Sequence, residues 1–155
     1  MSNTKTKSVR NENVLAPAVL QESLTDLLGL SLFAKQIHWN VVGSGFRDLH
    51  LMLDEMNTEY NEWVDTVAER IRAIGAAPDG RPQAVAQANG DALTDGAIPS
   101  DDATRWLVNR VGHSTGRFDG RLERLGDDDL VSQDLLIEIK GGLDKQLWML
   151  RAIQS

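Results

Sequence analysis

Five side chains of this 155-residue sequence have the types and spacing of a metal site: His38, His50, Asp54, Asp65 and Glu69. Neutral imidazole and carboxylate together suit borderline and hard divalent cations such as iron, manganese and zinc. The chain has no cysteine, which excludes thiolate ligands, disulfides and cysteine nucleophiles, so a metal here must take nitrogen and oxygen donors. On one helix, at about 100° per residue, His50, Asp54, Asp65 and Glu69 fall at roughly 0°, 40°, 60° and 100°, two i, i+4 pairs on a single stripe. Along the axis, however, the step from Asp54 to Asp65 covers about 16 Å, too far for a bond to one shared ion. One chain cannot close the site. Two such helices packed antiparallel about a two-fold axis would set the His50/Asp54 end of one beside the Asp65/Glu69 end of the other, and the site would close twice. His38, joined to this helix through a tight glycine-containing turn, can reach the same cluster. The competing reading is that polar residues at helical spacing form a solvated face and that histidines beside a turn are surface or satisfied core groups.

Positioning these residues requires long helices, and the sequence supplies four. Leu20, Leu24, Leu27 and Leu28 keep helical spacing from about residue 16 to 42, with Pro17 in the first turn and "VVGSG" as the stop. Leu49, Met52, Leu53, Met56, Tyr60, Trp63, Val64, Val67, Ile71 and Ile74 step by three or four along a second helix that Gly75 ends. Residues 75–99 are rich in Gly, Pro, Asp and Asn, and only "PQAVAQA" reads as a short helix. Ser100 is expected to cap a third helix, with Asp101 and Asp102 in its first turn and Gly126 past its end. "DDDL" opens a fourth, carried by Leu136, Ile139, Leu143, Leu147 and Leu150, with Gly141 and Gly142 as a weak spot. Tyr60 and Trp63 read as core, and His113 as structural or exposed. The expectation is an all-α chain: a four-helix bundle with one long crossover between its second and third helices, the connectivity of ferritin-like folds. Residues 1–13 read as a polar tail and 14–155 as the bundle. The intrasubunit di-iron bundles need Glu-x-x-His, and the chain has no such tetrapeptide.

Hydrophobic residues make up 41% and charged residues 25%, the balance of a globular protein. A formal charge of −7 argues against a wholly basic nucleic-acid-binding surface. No apolar stretch approaches the roughly 20 residues of a membrane span, and "MSNTKTKSVRNEN" contains no apolar run, so no membrane partner is expected and the cytoplasm is the expected location.

"KQIHWNVVG", "FRDLHLMLDEM", "WVDTVAERIRAIGAAP" and "LDKQLWML" resemble, in that order, the Dps family of mini-ferritins, DNA-binding proteins from starved cells. The resemblance implies a homo-oligomer, a hollow dodecamer with a ferroxidase centre at each two-fold interface. His38, His50 and Asp54 would come from one subunit, and Asp65 and Glu69 from its partner. Ferrous iron would be oxidised, preferably by hydrogen peroxide over oxygen, and stored as ferric mineral. Asp54 would ligate iron or orient a histidine; Trp39 would be packing or, as the family position suggests, an electron donor. Asp127, Asp128, Asp129, Asp134 and Glu138 match the region around the family's three-fold pores, although helix capping explains at least one of them equally well. Glu55 and Glu59 are expected on the cavity wall as mineral-nucleating carboxylates. A second reading makes the chain a nucleoid-associated DNA binder acting through Lys5, Lys7 and Arg10 of the tail, with iron oxidation secondary.

Overall fold

The structure is a computed structural model that describes residues 15–90 and 93–154. Four long helices form the bundle: α1 (Leu15–Asn40), α2 (Phe46–Ala73), α4 (Ser100–Leu125) and α5 (Leu130–Ile153). A short helix, α3 (Pro82–Ala88), lies in the crossover, and two dipeptide strands, β1 (Val41–Val42) and β2 (Ile98–Pro99), flank it in sequence. The all-α, ferritin-like expectation holds.

The helices differ in how much of their surface they bury. On α2 the buried residues Leu49, Leu53, Met56, Tyr60, Val67 and Ile71 make one narrow stripe, flanked by the partly buried Met52, Trp63, Val64 and Ala68, and most of the remaining surface of the helix is polar. By contrast α1 buries residues on most of its circumference, among them Val19, Leu24, Asp26, Leu30 and Ala34, because α2, α3 and α4 all pack around it. Tyr60 is 1% exposed and packs its ring 5.9 Å from that of Trp63, so the reading of both as core holds. Burial raises the Tyr60 phenol far above its ordinary pKa.

The crossover is tied to α1 by polar contacts. Gln21 Nε2 donates to the Asp79 carbonyl at 2.8 Å, and the Asp79 amide donates back to Gln21 Oε1 at 2.8 Å. Asn89, which ends α3, donates to the Thr25 carbonyl at 2.8 Å and sits directly over Gly29, where a Cβ would overlap its side chain. The far end of the crossover pairs in parallel with the α1–α2 turn, Val41 with Ile98 and Val42 with Pro99.

Two local expectations change. Ser100 is the first residue of α4 and not its cap, since Pro99 holds the cap position. The strand pairing delivers the chain into the helix one residue earlier, and Ser100 is buried against Gly43 and Gly45 of the turn. The Gly141–Gly142 pair does not interrupt α5. At Gly142 a Cβ would lie only 2.4 Å from the edge of the Trp63 ring, whereas Gly141 faces open space. Replacing Gly141 by Ala should therefore stabilise the chain by roughly 0.5–1 kcal/mol through helix propensity. Gly142→Ala should cost about 1–3 kcal/mol through overpacking. Denaturant unfolding of the two variants checks the opposite signs.

Candidate metal centre

The short turn between α1 and α2 puts His38, in the last turn of α1, against His50, one turn into α2. Gly43 makes that turn at φ +105, a conformation that favours glycine, and Gly45 passes so close to Ser100 that a Cβ would lie 3.2 Å from its hydroxyl. The two imidazoles stack with centroids 3.6 Å apart and planes 19° from parallel. Phe46 closes one side, its ring 5.0 Å from that of His50.

Each histidine hydrogen-bonds to the backbone of the other. His38 Nδ1 donates to the His50 carbonyl and His50 Nδ1 donates to the His38 carbonyl, both at 2.9 Å. A carbonyl oxygen only accepts, so the proton of each neutral ring is fixed on Nδ1 and the Nε2 lone pair is left for a cation. Such outer hydrogen bonds set ring orientation and tautomer in histidine metal sites.

Asp54, one turn after His50, completes a cluster in which one donor atom from each of the three residues lies within 4.8 Å of the others. Its Oδ1 is 3.5 Å from His38 Nδ1 and accepts from Lys35 Nζ at 2.6 Å. The Lys35 hydrogen bond, helped by the nearby histidines, holds the Asp54 carboxyl below its ordinary pKa. The group is thus an anion throughout the neutral range, and its pairing weakens only as acid protonates it. The arrangement offers two imidazoles and one carboxylate, an incomplete shell for iron, zinc or manganese.

Asp65 and Glu69 are not part of this cluster. Both stand exposed further along α2, as the axial spacing requires. Leu32 and Trp39 on α1, Val42 in the turn and Phe46 and Leu51 on α2 are all exposed, Trp39 by 68%, and of these Phe46 packs against His50.

The other expected residues separate into clear groups. Asp127, Asp128, Asp134 and Glu138 are exposed, whereas Asp129 is engaged: it caps α5 by accepting from the Ser132 amide at 3.2 Å and takes Arg70 Nη2 at 2.8 and 2.9 Å. Burial works against that carboxylate, but hydrogen bonds from Ser132 and Arg70 outweigh it and keep its pKa low. Its place is a joint between α2 and α5. Glu55 is exposed, and Glu59 is half-buried and accepts from Gln146 Nε2 at 2.5 Å. His113 is exposed. Lys5, Lys7 and Arg10 lie outside the described residues. Lys35 was not legible as a site residue, because a lysine on a helix flank carries no pattern; its only signal is a place one turn before His38.

Comparison with known proteins gives a consistent result. The family model described as the ferritin-like domain matches residues 17–155. The chain is 36% identical over 140 residues to the DNA protection during starvation protein of Mycolicibacterium smegmatis, covering 86% of this chain and 74% of that one. It is 30% identical over 155 residues to the protein of the same name from Agrobacterium fabrum, covering 96% and 93%. Among solved structures, Dps from Microbacterium arborescens in its high-iron form aligns with a TM-score of 0.85 at 33% identity, covering 89% of this chain and 91% of that one.

Lys35→Gln removes the hydrogen bond that depresses Asp54. The Asp54 carboxyl should then titrate at a higher pH than in the parent chain, followed by carbon-detected NMR of the side chain; an unmoved titration would show that Lys35 does not control it.

Proposed function

We propose, on the premise that this chain belongs to the Dps family within the ferritin-like proteins, that it is a ferroxidase and iron-storage protein whose oxidation sites are shared between two subunits. Membership gives iron storage and DNA protection as the general field of action. The reading finer than that rests on the half-site: His38, His50 and Asp54 are held together with both Nε2 atoms free, while Asp65 and Glu69 stand apart on the same helix.

In this reading α2 packs antiparallel to α2 of a second copy, and the exposed apolar side chains Trp39, Val42, Phe46 and Leu51 of the α1–α2 end are among those they bury. Each interface then holds two sites, each built from His38, His50 and Asp54 of one chain and Asp65 and Glu69 of the other. The imidazoles take ferrous iron readily, and the anionic oxygens of Asp65 and Glu69 favour the ferric product, so the donor set drives electron loss. Two ferrous ions give one electron each to a hydrogen peroxide molecule; its O–O bond breaks and, with two protons, two waters leave. No hydroxyl radical is released in that two-electron step. Trp39, exposed and next to His38 in the chain, is the electron donor in this reading when iron is short. The imidazoles bind only when unprotonated, so uptake weakens in acid.

Ferric product is stored inside a closed shell, taken as a dodecamer in the cytoplasm, with residues 14–155 as the shell-forming bundle and 1–13 as its tail. The exposed Asp127, Asp128, Asp134 and Glu138 are the entry carboxylates in this reading, and Glu55 and Glu59 the nucleating ones. Asp129, committed to Arg70 and to its cap, serves the pore wall only by shaping it.

Complementation tests the shared site directly. His50→Ala and Asp65→Ala should each slow peroxide-driven ferrous oxidation by at least about tenfold while the assembly persists, since each removes a ligand. Dissociated and reassembled together, the two variants should recover about a quarter of the parent rate, because each mixed pair of chains contains one intact site. A site built within one chain would recover nothing.

The second reading, DNA binding through Lys5, Lys7 and Arg10, is favoured by the tail's own charge, three cations against Glu12. It predicts a gel shift at low salt that fades steeply as salt rises and disappears on removal of residues 1–12. A shift insensitive to that truncation would move DNA binding elsewhere on the surface.

A further inference from the structure

Between Asp54 and Asp65 the outward stripe of α2 carries Asn57, Thr58 and Asn61 in place of ionisable groups. Asn57 and Asn61 lie within about 20° of His50 around the helix. Ser31 faces them from α1, its hydroxyl 2.8 Å from Asn57 Oδ1 and 3.2 Å from Asn61 Oδ1, so both amide oxygens converge on one donor. The oxygen and nitrogen of an amide lie on opposite sides of its carbon, so the Nδ2 ends are aimed away from Ser31. Neither Nδ2 donates to an acceptor among the described residues. Asn57 is half-buried and Asn61 exposed.

These positions follow the symmetry that a shared site demands. With His50 of one chain level with the partner's Glu69, and Asp54 with the partner's Asp65, the two-fold axis crosses α2 midway between Glu59 and Tyr60. Every residue then stands level with the partner's residue at the same distance beyond that midpoint. Asn61 falls level with the partner's Thr58, each roughly 30° from the axis direction around its helix. Asn57 falls level with the partner's Glu62, each roughly 70° from it, on the flanks of the contact. Both matches set a donor against an acceptor. Thr58 Oγ1 spends its own proton on the Asp54 carbonyl at 3.0 Å, which leaves only its lone pairs to offer outward. Glu62 is exposed, and its carboxylate oxygens accept.

We propose that Asn57 and Asn61, oriented by Ser31, fix the register of α2 against α2 of a second copy by donating to the partner's Glu62 and the partner's Thr58. The proposal rests on the shared-site reading and adds to it the residues that choose one alignment of the two helices among several. Apolar side chains attract at any alignment. A slide by one turn, about 5.4 Å, takes the amide donors away from their acceptors inside a desolvated contact. A single polar Asn in a coiled-coil seam fixes register in this way, at a cost in affinity. Asn57 and Asn61 are thus positioning residues, which act on the metal centre by setting Asp65 and Glu69 level with the other chain's Asp54 and His50.

Register can be read by crosslinking without iron, since the chain has no cysteine of its own. Arg47 and Arg72 are exposed on α2 and stand level across the same axis, whereas two copies of either are roughly 37 Å apart along it. Chains carrying Arg47→Cys and Arg72→Cys, co-expressed and treated with a short dimaleimide, should give a covalent dimer that neither variant gives alone. Adding Asn57→Leu and Asn61→Leu to both chains should cut that product at least about fivefold while sedimentation still shows an assembly. Ser31→Ala, which keeps both amides but leaves them unoriented, should lower it in the same direction. Dissociation of the Leu variant with its helical circular dichroism unchanged also supports the proposal, because the amides then hold the contact itself. An undiminished crosslink in the Leu variant overturns the role of the amides and leaves the antiparallel pairing standing. No mixed crosslink between otherwise parental chains overturns the pairing, and the register proposal with it.

Discussion

Two hydrogen bonds, each from an imidazole to the backbone carbonyl beside the other, set the register of α1 against α2 at the place where chemistry is concentrated. Because the carbonyls belong to the main chain, the histidines are held to the helices themselves and not to other side chains. A slide of either helix by one turn, about 5.4 Å, would break both bonds and unstack the rings. The glycine turn, the Val41–Ile98 and Val42–Pro99 pairing and the burial of Ser100 all brace that register from the same end of the bundle. The geometry of the candidate metal site and the stability of the fold thus meet in one constraint. Lys35 then sets the charge of the third donor from outside the pair.

The rest of the bundle is held differently. Where α1 meets α4, a buried ionic cluster adds to apolar contacts such as Phe33 on Trp106, and its arginines are spaced so that Asp26 sees Arg110, Arg117 and Arg121 on one face of α4. Such clusters stabilise little by themselves, since desolvation opposes the attraction, but they penalise wrong pairings heavily. Together with the Gln21–Asp79 and Asn89–Thr25 contacts, this gives α1 a distinct polar partner on each of the elements that must find it. Hydrophobic burial drives the collapse of the bundle, and these contacts choose its arrangement.

Much of this was legible in the residues. Long helices with strong period were readable because Leu49, Leu53, Met56 and Tyr60 can all face inward only on a helix, and the stop at Gly126, the cap at Asp129 and the short helix at Pro82–Ala88 follow local rules. The His38–His50–Asp54 cluster was readable because a short turn and an i, i+4 spacing are local facts. What escaped depended on contacts between distant parts of the chain. Asp26 meets Arg110 across 84 positions and Arg121 across 95, and no local pattern marks either. Ser100 looks like a cap until the strand pairing that displaces it is known, and Gly142 looks like a defect until Trp63 is placed over it. The turn of Asp129 toward Arg70 could not be told from a pore position by composition.

The separation of Asp54 from Asp65 along a straight helix has a consequence for the timing of chemistry in the cell. With the ligands divided as proposed, a newly made chain carries only His38, His50 and Asp54 in one place, an incomplete set that binds a cation weakly. Oxidising capacity then appears only as chains meet, and while monomers predominate it grows with the square of their concentration. A trickle of synthesis would leave the iron pool untouched, and a burst of synthesis would switch the activity on sharply. Helix length, fixed by a hydrophobic stripe from Leu49 to Ile71, would in this way act as a threshold on gene expression.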